Sequence, residues 1–192
     1  MDVLIFSKVI LVIIIITISV ITDLATRKIY NILTLPAICS GLLFNMIYFS
    51  LNNFSLRAIA EGFIFSFSGL IIALIVFFIL FAFGWFGGGD AKLMGAIGAF
   101  MGSHFIIWCI LYTLIAGGIC SFFLIINDIV TKRKRSQIII FFISLKNKLL
   151  YRMPLIFPDK KKSATFTYSI AIAMGFVASL LKFNILKIPF TW

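Results

Sequence analysis

Six apolar runs divide this sequence, and most are long enough to cross a bilayer as a helix. A hydrocarbon core about 30 Å thick takes roughly 20 residues at the helical rise. Lipid offers no partner to backbone N–H and C=O groups, so a spanning segment is either a helix or a strand of a closed barrel. The runs of Ile, Leu and Phe lack the alternation of barrel strands, and helices follow. Composition agrees: 62% of the residues are hydrophobic and the mean hydropathy is +1.18, whereas soluble domains are about 45–50% apolar. The expected fold is an all-α polytopic membrane protein with about six transmembrane helices, forming a single integral-membrane domain over residues 1–192.

The first span is expected over 4–22. Its stretch Val9 to Ile16 is wholly Ile, Leu and Val. It is too long and too apolar for a cleaved signal peptide, and no A-x-A site follows. A polar segment, Thr22 to Asn31, leads to a second span at 34–51, with Thr34 and Pro36 near its start. A third span covers 57–83, with Arg57 and Glu61 spaced to pair one turn apart. Three consecutive glycines and Asp90 follow. The fourth span, 91–105, carries Gly95, Gly98 and Gly102 on one stripe, which lets helices pack closely. The fifth is expected at 105–127 and the sixth at 164–182. Between them, residues 128–163 read as a basic cytoplasmic loop, in which 138–150 form an amphipathic helix lying on the membrane. Lys182, Lys187 and Trp192 fit an interfacial anchor.

The net charge is +11. In a soluble chain that excess would suggest nucleic acid, but in a membrane protein it reports orientation. Basic residues collect in cytoplasmic loops. Arg27, Lys28, Lys92 and ten residues of 128–163 fall on one side of the six-span scheme; Lys8, Arg57, Lys182 and Lys187 fall on the other. The first side is therefore expected to be cytoplasmic. No nucleic-acid partner is expected; the partner common to every span is the lipid bilayer. Cys39, Cys109 and Cys120 form no CxxC pair, and His104 is the single histidine. No metal centre, cofactor or serine-type triad is expected.

Acid is scarce: the chain has six acidic residues. Two of them, Asp23 and Asp90, fall on the same cytoplasmic side. A carboxylate beside a membrane-length apolar run is costly and marks function. Gly87, Gly88 and Gly89 permit unusual backbone conformations and close approach of another chain before Asp90. Two carboxylates at one depth can share a proton, because like charges a few Å apart cannot both ionise cheaply. The ionised member then takes a proton from water while the protonated member polarises a carbonyl, which is aspartyl peptide hydrolysis. Asp90 at a helix start is favoured as an anion. Asp23 at a helix end is disfavoured, with Arg27 one turn on to offset it. The residues alone leave two other readings open: an ion or solute transporter using the same acids as a proton path, and a structural membrane subunit.

The segment Gly87-Gly88-Gly89-Asp90 resembles the GxGD motif of membrane aspartyl proteases. Asp23, Arg27, Ile29 and Asn31 resemble the D-x3-R-x-I-x-N segment of type IV prepilin peptidases, and Asp90-Ala91-Lys92-Leu93 resembles that family's GDxKL continuation. Tyr168 to Gly175 resembles its PYxxAIAxG segment. Tyr30 and Thr167 stand where the family usually has proline. The resemblance implies a six-helix peptidase with Asp23 and Asp90 in its catalytic positions. Gly87, Gly88, Gly89, Lys92, Arg27 and Asn31 would bind substrate or shape the site. It would cleave the leader of prepilins or pseudopilins at the cytoplasmic face of a bacterial inner membrane. Long members carry paired CxxC motifs linked to N-methylation of the new pilin terminus. This sequence is similar to the short Tad/Flp-pilus form, without methyltransferase activity; archaeal preflagellin peptidases are close alternatives.

Overall fold

The computed structural model describes residues 2–52, 55–82, 87–130 and 167–183, and these form five helices. They are α1 (Asp2–Thr26), α2 (Asn31–Asn52), α3 (Leu56–Ala82), α4 (Gly88–Val130) and α5 (Tyr168–Phe183). Residues 1–117 with 167–192 form one compact unit, and 118–166 form a second, of which 118–130 are described.

Outside the first arm of α4, the helices show a narrow inward face and a broad apolar outward one. On α1 the buried positions are Lys8, Val12, Ile16, Ser19 and Asp23, while Ile10, Ile13, Ile14, Ile18 and Ile21 are exposed. Steps of three and four residues keep the buried set on one side of a helix with 3.6 residues per turn. Outside-facing isoleucine is what lipid requires; water would expel it.

Close packing of small residues then holds the helices together, because lipid tails compete with Leu and Ile for any merely apolar contact. The inward face of α3 carries Ala58, Gly62, Ser66, Gly69 and Ala73, with Leu70 and Phe77 beside them. A Cβ on Gly62 would lie 2.5 Å from the Asn45 carbonyl oxygen of α2, and one on Gly69 would collide with the Gly98 carbonyl oxygen of α4. The predicted glycine stripe of α4 is used as the spacing suggests. Gly95 lies against Leu70 and Leu74, and Gly98 against Gly69.

The first arm of α4 is the centre of the larger unit. Residues 93–102 are all buried, and Leu93, Met94, Ile97, Phe100 and Met101 join Phe77 and Phe176 in the main apolar cluster. A helix buried on every side shows little amphipathicity, so its place is given by its neighbours and not by its own pattern.

Several boundaries differ from the sequence expectation. The expected fourth and fifth spans are the two arms of α4, which meet at a kink at Gly102 (φ 79°, ψ 178°), three residues before the expected boundary at 105. One residue leaves the helix, in a region open essentially to glycine, and the helix resumes at Ser103. In place of six separate spans, the described residues hold four helices of membrane length, Leu4–Thr26, Asn31–Leu51, Leu56–Ala82 and Gly88–Leu124, plus the shorter apolar α5. Asp23 belongs to the last turn of α1, not to a polar linker. The second helix starts at Asn31, three residues early, because the Tyr30 carbonyl accepts from the N–H groups of Leu33 (3.1 Å) and Thr34 (3.3 Å). Gly88, Gly89 and Asp90 form the first turn of α4 and not a loop. The basic stretch 131–163 and residues 164–166 lie outside the described residues.

Candidate active site

Asp23 reaches the site as the last member of the inward stripe of α1. The helix stops just beyond it. Arg27 adopts a left-handed conformation (φ 54°) and its N–H donates to the Asp23 carbonyl at 2.8 Å. This is the glycine-type helix ending made with an arginine. It turns the chain sharply, so Arg27 leaves the helical register that would have stacked it one turn above Asp23. Lys28 to Tyr30 then cross to the start of α2.

Asp90 is brought to the site by the start of α4. The Asp90 N–H donates to the Gly87 carbonyl at 3.1 Å, and the Gly87 N–H donates back to Asp90 Oδ2 at 3.1 Å. An acid in the third helical position that bonds the residue before the helix is half of a capping box. The positive end of the helix dipole also favours the anion there.

Two contacts tie these segments to each other. A Cβ on Gly89 would lie 2.9 Å from the Ile29 Cβ, so only glycine lets α4 begin against the α1–α2 turn. Lys92 Nζ donates to Asn31 Oδ1 at 2.7 Å. Between the segments lies a cavity of about 400 Å³, lined by Asp23, Arg27 and the turn to Asn31 on one side and by Gly87 to Asp90 on the other. Both aspartates are 9% exposed.

The structure therefore gathers every site residue expected from sequence. Asp23, Arg27, Asn31, Gly87, Gly88, Gly89 and Asp90 line the cavity, and Lys92 braces it through Asn31. Lys28 and Tyr30 also line it; nothing in their spacing singled them out. A second hollow of about 580 Å³ adjoins Gly88 on its other side. Leu74, Ile75, Phe78 and Ile79 line it, with Lys92 at the edge. Among the described residues no three His, Cys, Asp or Glu side chains gather as metal ligands would.

Two buried carboxylates, delivered by separate helices to one cavity, make a site suited to moving protons at a polar bond. In a membrane-helical protein such a pair suits a hydrolase and equally a proton path, and comparison with known families separates the two. A sequence profile of the type IV leader peptidase family matches residues 10–122. That match covers more than half of the chain and includes both aspartates; the chain belongs to this family, and its activity is that of a protease. No curated protein sequence and no solved structure matches it.

Proposed function

We propose that this protein is a membrane-embedded aspartyl endopeptidase that removes the leader of type IV prepilins or pseudopilins, with Asp23 and Asp90 as its catalytic pair. The observation that carries the proposal is their meeting. Residues 67 positions apart, on α1 and α4, line one cavity, inside the stretch matched by the leader peptidase family.

The pair holds one proton between its carboxyl groups. The ionised carboxylate takes a proton from water as the water oxygen attacks the scissile carbonyl carbon. The protonated carboxyl donates to the carbonyl oxygen and stabilises the tetrahedral diol. Collapse breaks the C–N bond: the amine leaves with a proton returned by the carboxyl that first accepted it, and the other carboxylate takes back a proton from a diol hydroxyl as the new carboxyl group forms. Water is consumed and the pair regains its starting protonation, so the two acids titrate and act as a unit.

The bracing around the pair fits a peptide substrate. Gly87 to Gly89 leave room for an extended backbone beside Asp90. Arg27 and Lys28 lie where a substrate carbonyl or carboxylate would pass. We place the cavity at the cytoplasmic face of a bacterial inner membrane, supported by the excess of Lys and Arg on that side. Leader cleavage alone, without methyl transfer, is the proposed reaction; the sequence holds no CxxC pair. The test is Asp23→Asn and Asp90→Asn, each singly, with a co-expressed prepilin. Loss of leader removal in both, with normal membrane insertion, is expected. Full processing by either variant ends the proposal.

A further inference from the structure

The inward stripe of α1 has two polar ends. Asp23 is one; Lys8 is the other, and it is buried. Its ammonium donates to Asn45 Oδ1 at 3.3 Å and lies over the rings of Tyr48 (5.8 Å) and Phe65 (5.5 Å). Asn45 is completely buried on α2. Its Nδ2 donates to the carbonyls of Ala99 (2.9 Å) and Phe100 (3.1 Å) and to Ser66 Oγ (2.7 Å), with the Gly41 carbonyl at 3.3 Å.

Ala99 and Phe100 are not arbitrary acceptors. The break at Gly102 ends the first arm of α4, so the carbonyls of its last turn lose the N–H partners a continuous helix would supply. Lipid supplies no substitute. Asn45 caps two of these carbonyls from a neighbouring helix. Lys8 fixes which way the amide points. Lysine offers only donors and carbonyls only accept, so Oδ1 must face Lys8 and Nδ2 must face α4. The lysine charge also lies near the carbonyl end of the arm, the sign that a helix dipole favours there. Phe65, beneath the ammonium, occupies the space that a side chain at Gly102 would need.

We propose that Lys8 and Asn45 are positioning residues for the aspartate pair, a statement that rests on the reading of Asp23 and Asp90 as catalytic. The geometry is that of two rods joined at both ends. From Lys8 to Asp23 is roughly 22 Å along α1, and from Asp90 to Gly102 roughly 18 Å along the first arm of α4. The clamp at the far end sets the depth and rotation of the arm. That setting arrives at the near end as the separation of the two carboxyl groups. A misplacement of about 1 Å in a catalytic constellation can lower turnover on the order of a hundredfold.

Two readouts test this in the full chain in membranes. The first is leader-cleavage kinetics of Asn45→Leu and Lys8→Met. The second is the yield of cross-linking by a short bis-thiol reagent between Tyr30→Cys and Gly88→Cys, which line the cavity from its two sides and where Gly88 leaves room for a side chain. With Cys39, Cys109 and Cys120 replaced by alanine, it reports the register of the near end without requiring catalysis. Asn45→Leu is expected to lower kcat tenfold or more with KM within twofold, and to reduce the cross-linking yield at least threefold. Lys8→Met should do the same more weakly, Lys8→Arg should restore most of the yield, and the double variant should be little worse than Asn45→Leu alone. Parental kcat and parental cross-linking yield in Asn45→Leu would overturn the proposal. So would a loss confined to the amount of inserted protein, with turnover per folded molecule unchanged. Should the parent protein cleave no leader at all, the peptidase reading fails, and the cross-linking yield by itself still decides the positioning claim.

Discussion

The two polar clusters at opposite ends of α1 are built from similar materials and end in opposite states. At the Lys8 end each side chain finds a partner: ammonium to amide oxygen, amide nitrogen to two carbonyls and a hydroxyl. Backbones crowd around it at Gly41, Gly62 and Gly69, where added side chains would collide with neighbouring atoms. At the Asp23 end two carboxylates border about 400 Å³ of open space, and backbone rather than side chains fills the opposite wall. Inside a membrane bundle, a saturated polar cluster holds helices in place, and an unsaturated one with room beside it can act on something else. Burial of charge alone does not separate the two; the space next to the charge does.

The comparison breaks most visibly if the aspartates are dispensable. Replacing Asp23 or Asp90 with Asn should lower leader cleavage by about three orders of magnitude, the scale of lost general acid–base catalysis, in an assay of prepilin processing. Next comes Gly69→Ala, which presses a methyl group against the Gly98 carbonyl in the packed arm of α4. Overpacking of this kind costs about 1–3 kcal/mol and should appear as a lower unfolding midpoint in detergent, with a matching fall in activity. Removing the brace with Lys92→Met should cost about 1 kcal/mol at the site, read as a several-fold fall in kcat/KM with little change in stability. The smallest effect should be a gain. Arg27→Gly relieves a left-handed arginine and should raise stability by up to about 1 kcal/mol, while the loss of a cavity cation weakens substrate binding. Stability and KM measured together separate those two consequences.

Much of the site was legible because membrane topology restricts the possibilities. Asp23 and Asp90 could be paired from sequence since counting Lys and Arg puts both at one face, and the family-like segments run through the same residues. The inward stripe of α1 was equally available: Lys8, Val12, Ile16, Ser19 and Asp23 keep helical spacing. Lys8 was nevertheless counted as one more charge outside the cytoplasm, because its partner Asn45 is 37 residues away and reads as an ordinary mid-span amide. A break near the end of the fourth span was legible, since the next span was expected from residue 105, but its placement at Gly102 was not. Gly95, Gly98 and Gly102 form one regular stripe, and nothing local distinguishes a glycine that packs from a glycine that leaves the helix. Phe65, lodged where a Gly102 side chain would be, makes the difference, and that contact is tertiary. The start of α4 at Gly88 was likewise obscured, since consecutive glycines argue for a loop until a capping acid and a packed neighbour hold them in a turn.

The placement of charge on α1 has a consequence for how the protein is made. Its carboxylate sits in the last turn, the end of a helix that disfavours an anion, and its lysine is buried near the other end. Alone in a bilayer, this helix would hold both groups at a disadvantage. Asn45 from α2 supplies the acceptor that the lysine lacks, and it is synthesised after α1. The lysine end of α1 is therefore settled in the membrane only once α2 has packed against it.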